Sequence, residues 1–66
     1  MNLILNGETR VFDAVGDVAA LVAALGLDTR KVAVERNLEI VPRSAYPRTA
    51  LADGDRIEIV HFIGGG

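Results

Sequence analysis

Apolar and polar positions change their period several times along this chain, and each change predicts an element. The first apolar run, through Met1, Leu3, Ile4 and Leu5, stops at Asn6-Gly7. Asn-Gly is a strong hairpin signal, because both residues tolerate the positive φ of a type I′ turn. β-Branched and aromatic residues follow, so a hairpin with strands over 2–6 and 9–13 is expected. The period then becomes helical. Val18, Leu21, Val22 and Leu25 fall at i, i+3, i+4 and i+7, with alanines filling the gaps. Asp17 stands where a carboxylate caps the first free N–H groups, and Gly26 where positive φ ends a helix. The spacing therefore predicts a helix over 18–25. Alternation returns over 31–36, where Val32 and Val34 oppose Ala33 and Glu35. Asn37-Leu38 reads as a tight turn into a short strand over 39–41. Pro42 closes that strand, because proline cannot donate to a ladder. A short helical turn is expected around 44–46. Asp53-Gly54 signals the turn into a long last strand over 56–63.

The order is ββαββ followed by that last strand. One helix cannot cover both faces of a sheet, so an α+β arrangement with one open face is expected. Hairpins flanking a helix, with a final strand returning to the centre, give the order of the β-grasp (ubiquitin-like) fold. The expected architecture is a mixed sheet of about five strands with one main helix on one face. Residues 1–63 would form this domain and residues 64–66 a flexible glycine tail.

The parity of the last strand separates two faces. Ile57, Ile59 and His61 share one, and Glu58, Val60 and Phe62 share the other. If the isoleucines face the helix, Val60 and Phe62 lie on the open face and form a docking surface. Ile4 is a candidate neighbour there, since its parity opposes that of Leu3 and Leu5. Arg43 and Arg56 read as solvated charges, and His61 as a satisfied residue at the core margin. Tyr46 should pack its ring beside the core with its hydroxyl in water. Gly64, Gly65 and Gly66 read as a thin arm, without Cβ atoms, carrying a carboxylate at its tip.

Composition narrows what such a body can do. Sixty-six residues make one small domain, too small for a large catalytic cleft. The absence of cysteine excludes disulfides and thiolate metal sites, and no bound metal or cofactor is expected. Seven Lys and Arg stand against nine Asp and Glu, well mixed, which argues against nucleic acid as a partner. No apolar stretch is long enough for a bilayer and the first residues do not form a signal peptide, so a cytoplasmic location is expected.

Several segments together carry a family resemblance. They are Ile4-Leu5-Asn6-Gly7, the helix after Asp17, Val34-Glu35-Arg36-Asn37, Glu39-Ile40-Val41-Pro42-Arg43, Leu51-Ala52-Asp53-Gly54-Asp55, and the run from Ile57 to Gly66. With them the chain resembles the ThiS sulfur carriers of thiamin biosynthesis over nearly its whole length. Leu38 departs from the pattern, since relatives often have glycine there. Leucine resists positive φ, so a different turn is expected at that hairpin. The resemblance implies that an E1-like adenylating enzyme (ThiF type) joins Gly66 to AMP, using ATP and Mg. Sulfur from a persulfide donor then leaves a thiocarboxylate on Gly66. Thiazole synthase (ThiG type) would consume it for the thiazole ring. On this reading no residue of the chain is catalytic, and Gly65 and Gly64 are the reach of the reacting carbon. Two related readings remain open. One is the sulfur-carrying small subunit of molybdopterin synthase. The other is a ubiquitin-like protein modifier, for which Lys31 is the sole lysine acceptor on the chain itself. A plain binding domain, indifferent to removal of Gly65 and Gly66, is the third alternative.

Overall fold

In the computed structural model, which describes residues 1–62, the hairpin forms where Asn6-Gly7 places it. β1 (Asn2–Leu5) and β2 (Glu8–Val11) run antiparallel, and φ is 49° at Asn6 and 83° at Gly7. Positive φ at both central residues is the type I′ geometry, whose twist suits a hairpin. α1 (Val18–Ala24) follows, and the Asp17 carboxylate accepts from the Ala20 N–H at 2.8 Å. Leu25 is its C-cap, and Gly26 continues at φ 71°. Its inner face buries Val18, Leu21 and Val22.

A short 3-10 turn, Thr29–Lys31, leads into β3 (Val32–Arg36). β4 (Glu39–Val41) pairs antiparallel with it. A second 3-10 segment, Arg43–Arg48, is longer than the single turn expected and contains Pro47. β5 (Arg56–His61) then enters the middle of the sheet. The strand order is β2-β1-β5-β3-β4, with β5 parallel to β1 and antiparallel to β3. The expected mixed five-stranded β-grasp sheet with one main helix is what the chain adopts.

The core lies between the sheet and α1. Leu3, Leu5, Val32, Val34, Val41 and Ile57 enter it from the strands, while Val15, Tyr46 and Leu51 enter from the connections. Three local expectations are corrected. Leu38 does adopt positive φ, at 71°, after Asn37 at 51°, so this hairpin keeps type I′ geometry despite its side chain. Tyr46 is buried and its hydroxyl donates to the Val32 carbonyl at 3.5 Å, so it is not in water. Burial raises its pKa, against an opposing effect of Arg43. His61 has the helix-side register, opposite Val32, yet is exposed. The last β1–β5 pair is Leu5 with Ile57, so one flank of the strand is open by His61.

Candidate functional site

β5 carries the candidate site, and its two halves are held differently. At its start, Ile4 and Leu5 pair with Arg56 and Ile57 on one flank, and Arg36 pairs with Ile57 on the other. Asn37 closes that second flank: its N–H donates to the Arg56 carbonyl at 2.8 Å, and its Oδ1 accepts from the Arg56 N–H at 2.9 Å.

Just before the strand sits Asp55, only 7% exposed. Its carboxylate accepts from Arg36 Nε at 2.9 Å, Asn37 Nδ2 at 3.0 Å and the Ala52 N–H at 2.8 Å. Burial pushes the Asp55 pKa up, but the hydrogen bonds from Ala52, Asn37 and Arg36 together outweigh it, and the net shift is downward. This cluster ties the β3–β4 turn to the loop before β5. Asp53 adds a tie to β1, its Oδ1 accepting from the Asn2 N–H at 2.6 Å.

Beyond Ile57 the strand keeps β3 but loses β1. Val60 pairs with Ala33 and His61 with Val32, and the Phe62 N–H donates to the Lys31 carbonyl at 2.7 Å. On the vacated flank the Asn6 side chain hydrogen-bonds to β5. Its Oδ1 accepts from the Ile59 N–H at 2.8 Å and its Nδ2 donates to the Ile59 carbonyl at 3.3 Å.

The open face has the predicted parity. Ile57 is fully buried on the helix side, whereas Val60 is 60% and Phe62 48% exposed. These two stand side by side at i and i+2 near the exit of the strand. Ile4 lies on the same face and is half-buried, but its register with Arg56 places Glu58 between it and Val60. The structure therefore joins Val60 to Phe62 and sets Ile4 apart from them. Two further exposed residues, Ile40 and Val11, alternate with neighbours that face the helix. The parity of Ile40 against buried Val41 was a readable signal for the first. Glu35 and Glu58, direct partners across β3 and β5, add negative charge in the middle of the face. Only the register reveals that pair.

Arg56 is exposed, and Arg43 is exposed with Nη2 at 3.4 Å from the Arg30 carbonyl, consistent with solvated charges. Gly64, Gly65 and Gly66, with Ile63, lie outside the described residues. Among the described residues no group of three or more His, Cys, Asp or Glu is placed to hold a metal ion. No described helix is long and apolar enough to cross a membrane. What this arrangement does chemically is hold a strand in register and offer an apolar face beside its exit.

Comparison with known proteins agrees with this architecture. Residues 3–66 match the model of the ThiS family. A thiazole synthase of Paramagnetospirillum magneticum is 62% identical over the whole chain, which spans only 20% of that relative. The sulfur carrier protein ThiS of Bacillus subtilis is 47% identical over 51 residues, covering 77% of each protein. The crystal structure of the ThiS thiamine biosynthesis protein from Geobacter metallireducens superposes with a TM-score of 0.83 at 38% identity, each chain fully covered. The sequence match across both hairpins, the helix and β5, together with the shared topology, shows that this chain belongs to the ThiS family.

Proposed function

We propose that the chain is a sulfur carrier for thiamin biosynthesis whose working group is the carboxyl carbon of Gly66. The observation that carries this reading is the family match, which runs through residue 66. A carboxylate is a poor electrophile and is activated first. One of its oxygens attacks the α-phosphorus of ATP, bound with Mg by an E1-like adenylating enzyme of ThiF type, and pyrophosphate leaves. Sulfur from a donor then attacks the acyl carbon and AMP leaves. With a persulfide donor, a thiol next attacks the donor's own sulfur, forms a disulfide with it and releases the thiocarboxylate. The chain has no cysteine, so that thiol belongs to a partner.

Val60 and Phe62 provide the docking surface that brings Gly66 to the adenylating enzyme, in the cytoplasm. The consumer is a thiazole synthase of ThiG type. Relatives bearing that name contain a region similar to this whole chain, which supports the pairing. The chain acts as a co-substrate and carrier, and the catalysis belongs to its partners. Gly65 and Gly64 supply reach without side-chain width.

Exchange of pyrophosphate into ATP, catalysed by the adenylating enzyme in the presence of the carrier, tests the reading. Gly65→Ala should leave the circular dichroism unchanged and lower exchange by about tenfold or more, since small misplacements of a reacting atom are costly. Normal exchange by this variant overturns the proposed role of the arm. Protein from its native host should contain a fraction heavier by one oxygen-to-sulfur exchange.

A further inference from the structure

Asn6 does more than its place in a tight turn requires. A residue at φ 49° is well served by Asn, Asp or Gly, so the turn alone does not call for an amide. The Asn6 N–H donates to the Ile57 carbonyl at 2.8 Å, continuing the β1–β5 ladder for one more step. The backbone then turns away toward β2, and the next position of the ladder has no strand residue to fill it. The Asn6 side chain fills it instead. Its Oδ1 accepts from the Ile59 N–H and its Nδ2 donates to the Ile59 carbonyl, at 2.8 and 3.3 Å. This pattern also fixes which end of the amide is oxygen, because the Ile59 N–H can only donate.

The opposite flank shows the same device. Asn37, also at positive φ, donates through its N–H to the Arg56 carbonyl and accepts from the Arg56 N–H through Oδ1. There the Nδ2 group is directed to Asp55, in the loop before the strand. Asn6, in contrast, directs both ends of its amide at β5 itself, at the last point before the strand continues with β3 alone.

We propose that the Asn6 side chain is a positioning residue for the carrier reaction. It substitutes for the missing strand residue and fixes the course of β5 at Ile59, the point from which the chain runs through Val60 and Phe62 toward the reacting carboxyl. This inference rests on the carrier reading given above. Val60 and Phe62 keep their own ties to β3 without it, so docking should survive its loss, and the amide acts on the one flank of β5 that those ties leave open.

Two variants test it. Asn6→Gly keeps the positive φ and deletes the amide. Asn6→Asp keeps the φ and the acceptor for the Ile59 N–H, but sets an oxygen against the Ile59 carbonyl. Both should fold, by circular dichroism and thermal melting. In Asn6→Gly, hydrogen exchange at the Ile59 amide should accelerate by about tenfold, while the Val60 amide, paired with Ala33, stays protected. Pyrophosphate exchange, run where both variants are fully folded, should show kcat lowered by about tenfold and KM for the carrier changed by less than about threefold. A role in stability alone would lower the melting temperature and leave kcat intact. Wild-type exchange with an Asn6→Gly kcat within about twofold overturns the positioning role alone. Wild-type protein that supports no exchange overturns the carrier reading, and the positioning role with it.

Discussion

Arg56 and Ile57 lie between two strands, with Ile4 and Leu5 on one side and Arg36 on the other, whereas Val60 and His61 pair with β3 alone. Both halves of β5 alternate apolar and polar residues, yet the alternation means different things. In the first half the apolar residue meets the helix and two flanking strands, and Ile57 is sealed. At Val60 and Phe62 the apolar side chains face away from the helix, and about half or more of each stays in water. The same strand is therefore a keystone at one end and an exposed apolar surface at the other, the surface proposed above for docking. An apolar residue that does nothing for the core is free to be used by a partner.

The sharpest way to break this contrast is at its buried end. Ile57→Ala should cost about 3 kcal/mol in urea unfolding, a loss that can leave so small a domain largely unfolded. Asp55→Ala should cost about 2 kcal/mol, since it removes the acceptor for Arg36, Asn37 and the Ala52 N–H in one change.

The same carboxylate makes a pH prediction. Its folded pKa lies below its ordinary value, so its stabilisation is fully present above the unfolded pKa and is lost as the pH falls through the folded one. The urea midpoint of the wild type should therefore drop below about pH 4, and that of Asp55→Ala should drop less steeply. An equal acid slope in the two proteins would remove Asp55 from this role.

Leu38→Gly should act in the opposite direction. It relieves positive φ at a residue that is 80% exposed, and should raise stability by about 1 kcal/mol. No gain would mean that the Leu38 side chain offsets its strain by a contact of its own.

The smallest effect on stability is expected at the presenting end. Phe62→Ala should leave the urea midpoint within about 0.5 kcal/mol of wild type, since this is a partly exposed position. Its binding to the adenylating enzyme, measured by titration calorimetry, should weaken by about tenfold, as for an apolar anchor at an interface. A large stability loss with unchanged binding would reverse the roles assigned to the two halves.

Much of this was legible along the chain. Asp17 and Gly26 bracket a helix that forms between them, Asn6-Gly7 makes its hairpin, and β4 spans the three residues anticipated before Pro42. The parity of Ile57 against Val60 and Phe62 correctly separated the buried face from the open one. These are local signals, carried by neighbours within a turn or two of each other. The turn at Asn37-Leu38 was misread because a local preference of leucine was outweighed by long-range ties. Asn37 is fastened to Arg56 and Asp55, and the pairing of Arg36 with Glu39 closes the hairpin over Asn37 and Leu38 alone, a two-residue loop that takes positive φ at both.

Alternation along one strand therefore told which side chains share a face, because that depends only on the pleat. It did not tell where β1 stops beside β5, since the partners are some fifty positions apart. That one alignment leaves a flank of β5 open by His61, separates Ile4 from Val60 and gives the Asn6 amide its place at Ile59, and the equally distant register of β3 on β5 puts Glu35 against Glu58. A pleat is a property of neighbouring residues, whereas a register belongs to two distant segments and exists only once the sheet has closed.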